Sequence, residues 1–334
     1  MDLLVCRPGF EDALRDEIAQ RLGGKAVCLC PVPGMVEVRA SVPLPPEFIF
    51  ERRRMPDAGF IPDQLLKPVT AEQVRQMLGP ALQGNLPWSI CSFPAGSGTV
   101  GNLGPRVKGI EKAVLRVARE HFPETGRQMT DTQAGLLLQL CLTPRGLYHS
   151  CAALCLQAGS PLRMHQDSRA PSRSYLKLEE AFQLMNRQPR KNETAVDLGA
   201  APGGWTYALI RRGCHVTAVD HGPMKLPPHE PGWGRVRHIR ANGITFEPPR
   251  DLCPVDWLVS DMLVAPGVVL GLLRRWIGAR RMRFFVCNIK IPQQNPCAAV
   301  KPLEDFLSAQ RKVEFRLKQL YHDRREITIM GQLK

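Results

Sequence analysis

Apolar and polar positions alternate differently along the two halves of the chain. Over residues 10–22, Phe10, Ala13, Leu14, Ile18 and Leu22 recur at helical spacing, with Glu11 and Asp12 early and Gly23-Gly24 at the stop. This pattern predicts an amphipathic helix. Strand-like LLVCR and a turn at Pro8-Gly9 precede it, and strands around Ala26–Cys30 and Met35–Val38 complete a small α/β unit over 1–44. Residues 45–162 mix both periods. AEQVRQMLGP, closed by Gly79-Pro80, and IEKAVLRVAREHF read as helices. GLLLQLCLTP and GLYHSCAALCL read as buried strands joined by a turn at Pro144-Arg145-Gly146. The polar, turn-rich stretch 163–174 (RMHQDSRAPSRS) reads as a linker.

From residue 175 onward, helical stretches separate short, continuously apolar runs: TAVDLG, HVTAVD, DWLVSDM, RFFVCNIK and REITIM. Strands of that character are buried on both faces, which implies a largely parallel sheet. The expected class is α/β, a Rossmann-like doubly wound domain over 175–334 behind smaller α+β domains.

Composition narrows the function. A chain of 334 residues with 44% apolar content is globular rather than disordered. No apolar run reaches the ~18 residues of a membrane-spanning helix. The start turns acidic within ten residues and lacks a signal-peptide layout, so a cytoplasmic location is expected. The net charge of +14 is unevenly spread: residues 1–160 carry 17 basic and 15 acidic side chains, residues 161–334 the other 28 and 16. That asymmetry suggests a polyanion, nucleic acid ahead of an anionic membrane surface. Arg274, Arg275, Arg280, Arg281 and Arg283, with Arg235, Arg237 and Arg240, are the expected phosphate contacts. The eleven cysteines form no Cys-x-x-Cys pair, so reduced thiols are expected and no metal.

The chemistry concentrates in VDLGAAPGGWTYALIRRG, residues 196–213. A strand runs into Gly199-Ala200-Ala201-Pro202-Gly203-Gly204 and a helix follows, a turn that lets backbone approach a ligand. The second strand ends in Asp220, about twenty residues on, placed to accept hydrogen bonds from a ribose. A dinucleotide site wants G-x-G-x-x-G, and a phosphate loop wants a lysine followed by Ser or Thr; this loop has neither. Four further residues stand in order around it: Lys177, then Asp261 and Lys290 at strand ends, then Glu326. Each alone has an ordinary reading as a solvated or loop-starting charge. The ordered set is less readily explained that way.

The loop D-L-G-x-x-P-G-G-W resembles motif I of S-adenosylmethionine-dependent methyltransferases, especially ribose 2′-O-methyltransferases of the FtsJ type. Nearly the whole chain resembles the bacterial RlmM-type family, through LLVCRPGFEDALRDEI, APSRSYLKLEEAF, AVDLGAAPGGWTY, AVDHGPM, DWLVSDM, NIKIP and LYHDRREITI. The resemblance implies a small N-terminal domain, a THUMP-like RNA-binding domain over 45–162, and a methyltransferase domain acting on the ribose 2′-oxygen of a cytidine in 23S ribosomal RNA. It implies S-adenosyl-L-methionine contacts at Ser174, Ala201, Pro202, Gly203, Gly204, Asp220, Asn242 and Asp261, and a catalytic set of Lys177, Asp261, Lys290 and Glu326 with Lys290 as base. Where the family typically has Ala-Cys-Pro-Gly this chain has Ala-Ala-Pro-Gly, and Asn242 replaces a typical Asp. Neither DNA nor a membrane is an implied partner, and a monomer is expected.

Methyl transfer from a sulfonium is an in-line displacement, so the attacking oxygen must be held opposite the leaving sulfur. A ribose hydroxyl is a very weak acid and benefits from a base. Lysine serves as one only when neutral. A neighbouring lysine and exclusion of water favour that form, while carboxylates beside it oppose it. The competing expectations are a 2′-O-methyltransferase for another RNA, a non-catalytic RNA-binding assembly factor and, more distantly, a nicotinamide dehydrogenase.

Overall fold

The computed structural model describes residues 1–96, 103–123, 135–153, 166–249 and 252–334. They fall into two compact units, Met1–Gln157 and Ala158–Lys334.

In the first unit, β1 (Asp2–Val5), α1 (Glu11–Leu22), β2 (Ala26–Leu29), β3 (Met35–Ala40) and β4 (Arg53–Met55) make an antiparallel sheet ordered β2-β3-β1-β4. Its last strand lies beyond residue 44. α1 buries Ala13, Leu14 and Ile18, as its periodicity predicts, but also Glu17. That carboxylate accepts the Ile49 and Phe50 amides (2.8 and 3.2 Å) and pairs with Arg21, which offsets its burial.

A second sheet follows from β5 (Gly59–Pro62), α2 (Ala71–Met77), α3 (Gly79–Gly84), β6 (Trp88–Pro94), α4 (Leu103–His121), β7 (Leu136–Thr143) and β8 (Gly146–Ala153), ordered β5-β8-β7-β6. Gly79-Pro80 opens α3 instead of only closing α2. Proline is tolerated in a first helical turn, where its missing N–H has no partner to lose. α4 turns Leu103, Val107, Ile110, Val114, Val117 and Ala118 into the core.

The second unit holds α5 (Tyr175–Leu184), β9 (Thr194–Leu198), α6 (Gly204–Ile210), β10 (His215–Val219), β11 (Val236–Ile239), β12 (Val255–Ser260), α7 (Pro266–Gly278), β13 (Met282–Lys290), α8 (Pro296–Ser308), β14 (Val313–Lys318) and β15 (Glu326–Leu333). Its seven-stranded sheet runs β11-β10-β9-β12-β13-β15-β14. The first five are parallel, and β15 is antiparallel to both neighbours. All five strands expected here are present, with β11 and β14 added. β14, at the edge, alternates apolar Val313, Phe315 and Leu317 with charged Glu314, Arg316 and Lys318, the last of these buried. Trp205, Trp257, Phe182, Phe284 and Met330 share the core.

The chain leaves β9 for β10 on one side and β12 on the other. In such sheets the crevice that takes ligands falls at this switch point, at the carboxyl ends of the strands. Residues 163–165 of the expected linker lie outside the described residues. The described part is fastened to this unit: the Tyr175 hydroxyl receives the Asp167 amide (2.7 Å), and the Tyr207 hydroxyl donates to the Asp167 carboxylate (2.7 Å).

Candidate active site

The crevice is lined first by the loop after β9. Gly199 has φ +76°, and a Cβ there would lie 2.5 Å from Met262 Cγ, so backbone conformation and space both demand glycine. The Gly199 and Ala200 amides donate to the Val219 carbonyl of β10 (2.9 and 3.3 Å), drawing the loop against its neighbour strand. Gly203, φ +116°, leads into α6; its Cβ would fall 2.9 Å from Leu226 Cδ2. A Cβ on Gly204 would land on the Ser172 and Ser174 hydroxyls, themselves 2.8 Å apart. Every residue of α6 is buried. Fully buried Asp197 ties that helix to β9 by accepting the Thr206 hydroxyl (2.6 Å), and burial pushes its carboxyl up to about 7.

The expected ligand residues gather on this loop and its neighbours. Asp220 accepts the Ala201 amide at 3.1 Å and the Gly222 amide at 2.7 Å. A carboxylate has about four lone-pair sites, so two amides leave room for a ribose. Ser174 stands just before α5, its carbonyl taking the Trp205 indole N–H (3.0 Å). Asn242 is exposed, and its side-chain oxygen accepts the Ile244 amide (2.9 Å) in a local turn. The next residue, Gly243, is packed so closely that a Cβ would lie 3.3 Å from the Gly199 amide.

Further along the rim, Lys177 on α5 lies at the centre of three carboxylates. Its Nζ is 3.4 Å from Asp261, 3.8 Å from Asp323 and 3.8 Å from Glu326. Asp261 follows β12, Glu326 starts β15, and Asp323 lies in the β14–β15 connection. Lys290 ends β13 and is directly opposite Glu326 in the antiparallel pairing. Opposed residues project from the same face with Cβ atoms roughly 5 Å apart. Lys290 is exposed whereas Lys177 is largely buried. Of the four expected catalytic residues, three therefore meet around one ammonium, and the fourth stands one strand pair away.

A buried polar chain supports them. Asn288, on the Lys290 face of β13, donates to Asp261; Thr328 donates to Asn288 Oδ1 (2.6 Å) and lies 3.1 Å from Asp323 Oδ2. Burial raises the Asp261 carboxyl, opposed chiefly by Lys177 and Asn288. Burial pushes Asp323 up to about 8, although Lys177 pulls the other way. Sequence reasoning missed Asn288, Thr328 and Asp323. A polar residue inside an apolar strand run (FFVCNIK, ITIM) was the available signal for the first two. Nothing in HDRRE marked Asp323 as the buried member.

One arginine cluster lies elsewhere, whereas Arg240 follows β11 at the carboxyl-end rim. Arg280, Arg281 and Arg283 are at the amino end of β13, whose first residue, Met282, lies about 26 Å along the strand from Lys290. Arg281 pairs with Glu247 and Arg283 with Asp256 (3.0 and 2.9 Å). Phosphate contacts made by these arginines would therefore lie at the opposite rim from Lys290.

Residues 170–327 match the FtsJ-like methyltransferase family, so the crevice belongs to a methyltransferase domain. The whole chain is 34% identical over 346 residues to the ribosomal RNA large subunit methyltransferase M of Azotobacter vinelandii, covering 98% of this chain and 96% of that one. It is also 34% identical to the protein of that name from Laribacter hongkongensis, over 98% and 95% of the two chains. The chain belongs to the ribosomal RNA large subunit methyltransferase M family. Among solved structures, TrmN from Thermus thermophilus is similar over 99% of both chains at 11% identity, with a TM-score of 0.35.

Proposed function

We propose that this protein methylates the ribose 2′-hydroxyl of a cytidine in 23S ribosomal RNA, using S-adenosyl-L-methionine, and acts in the cytoplasm as a monomer on naked RNA or an early assembly particle. The observation that carries the reading is the gathering of Lys177, Asp261 and Glu326, with Lys290 opposite, at the switch-point rim of a chain related along its full length to ribosomal RNA methyltransferases.

The residues fit the methyl donor. The Asp220 carboxylate, which keeps lone pairs beyond the two amides it accepts, would serve as ribose acceptor, and the Ser174, Ala201, Pro202, Gly203, Gly204, Asn242 and Asp261 positions would supply backbone and polar contacts. When bound, S-adenosylmethionine supplies a methyl group already activated on a sulfonium.

The chain's own groups then hold and deprotonate the nucleophile. Lys290 Nζ accepts the 2′-hydroxyl proton as the oxygen attacks, and Glu326 opposite receives the resulting ammonium as an ion-pair partner. Lys177 offsets the charge of Asp261 and Glu326 and fixes both carboxylates. Because Lys290 is exposed, the RNA itself must exclude water from it. The near-neutral N-terminal unit, read as small and THUMP-like domains, recognises RNA through shape and hydrogen bonds more than bulk charge.

The test is transfer of radiolabelled methyl to deproteinised large-subunit RNA, with the label mapped to sugar or base. Label on a cytidine 2′-oxygen is expected. Label only on another RNA, or none in the presence of bound S-adenosylmethionine, would overturn the reading.

A further inference from the structure

Between β14 and β15 the chain crosses the rim beside Lys290, over residues 319–325. Its inward groups are clamped. Leu320 and Asp323 are fully buried, Asp323 accepts the Leu320 amide (2.9 Å), and Glu180 accepts the Tyr321 amide with both oxygens (2.9 and 3.1 Å). The Arg325 carbonyl accepts the amide of Ile291, next to Lys290 (3.1 Å). Its outward groups face solvent. Tyr321 is 54% exposed, unusual for so large a ring, and stands edge-on to His322. Arg324 and Arg325 are both exposed, and neither guanidinium has an ion-pair or hydrogen-bond partner among the described residues. These are the opposite circumstances from Arg281 and Arg283.

The strand order adds the geometry. The expected nucleoside-binding loop is on β9 and β10, Asp261 on β12, Lys290 on β13, and this connection leads into β15. At about 4.8 Å between strands, Lys290 is roughly 10 Å from β9 and one strand from Glu326. A methyl donor enters from one side of Lys290 and the Tyr321–Arg325 segment flanks the other. An aromatic face held on a fixed backbone, with two uncommitted arginines, is the combination that binds unpaired nucleotides: bases stack on the ring and phosphates meet the guanidinium groups. A pre-positioned ring also avoids the ordering cost of binding.

We propose that Tyr321 stacks on the base of the nucleotide being methylated, while Arg324 and Arg325 hold its flanking phosphates. The proposal rests on the RNA 2′-O-methyltransferase reading and assigns that enzyme its substrate-seating element. Full-length wild type, Tyr321→Ala, Tyr321→Leu, Tyr321→Phe and an Arg324→Ser/Arg325→Ser double variant are compared for methyl transfer to a large-subunit RNA fragment, for RNA binding against salt, and for S-adenosylmethionine binding. Losing a stacked base lowers kcat/KM for RNA roughly 5- to 150-fold in the Ala and Leu variants, while Phe stays near wild type. The double arginine variant flattens the salt slope by ~0.7 for each single-strand phosphate that it no longer neutralises. Cofactor affinity and melting temperature stay unchanged in all of them, because the substituted side chains are exposed. If wild type methylates the RNA but Tyr321→Ala and Tyr321→Leu match it, or the arginine variant keeps the full salt slope, the seating role is overturned and the loop is left to another partner, such as an acidic protein surface. A wild type that transfers no methyl to ribosomal RNA sinks the parent reading and this one together.

Discussion

Asp323→Asn is expected to change how stability depends on pH, and the structure sets the sign. The Asp323 carboxyl is fully buried. Lys177 faces it from α5 at 3.8 Å and favours the ionised form, as does the Leu320 amide; Glu180 and Glu326 oppose them, and burial outweighs all of these. The folded carboxyl titrates at about 8, against 3.8 for an ordinary aspartate. Below the lower value both native and unfolded chains hold the proton. Between the two only the native chain does, so folding takes up one proton, and each pH unit of increase costs the fold about 1.4 kcal/mol. Above the upper value both are ionised and the loss levels off. Asparagine keeps the shape and titrates nowhere in this range. The unfolding free energy of the variant, minus that of wild type, should therefore rise by about 1.4 kcal/mol per pH unit, or about 3 kcal/mol from pH 5.5 to 7.5. Burial also raises Asp197, to about 7, with the same sign, but Asp197 is common to both proteins and cancels in the difference. Urea unfolding at three pH values and constant ionic strength measures it. A difference that does not vary with pH would mean that Asp323 is ionised in the fold as a partner of Lys177, and the reasoning would fail.

Other outcomes are equally direct. Lys290→Ala should leave S-adenosylmethionine and RNA binding near wild type while single-turnover methyl transfer falls roughly 10²–10⁴-fold. Lys290→Arg, which keeps a cation but cannot take up a proton, should be as slow; a rate within a few fold of wild type would show that Lys290 only positions the ribose. Asp220→Asn should weaken S-adenosylmethionine roughly 10- to 150-fold by calorimetry, through the loss of hydrogen bonds to a charged acceptor; unchanged affinity would remove Asp220 from the ribose site. Asn242→Asp should tighten it, because a charged acceptor makes the stronger hydrogen bond. No gain would mean that the side chain serves only its turn with Ile244.

The sequence by itself determined the parallel α/β class of the C-terminal unit, the amphipathic helix at 11–22 and the glycine loop at 199–204. Each depends on local rules: apolar periodicity, helix stops, and turns that only glycine accommodates. Asp261 and Lys290 were legible at one rim because parallel strands end there, and Lys177 and Glu326 only by their order around them. Which carboxylates surround Lys177 was not legible. Asp323 and Glu326 are three residues apart and equally acidic on paper, yet the turn before β15 leaves the first fully buried while the second stays at the rim opposite Lys290. The arginines show the same limit. The cluster at 280–283 was legible as a run of charge, but its place at the amino-terminal rim and its ion pairs with Glu247 and Asp256 were not. Burial, pairing and the end of the sheet at which a residue falls depend on contacts between segments distant in sequence. Only the tertiary structure decided those.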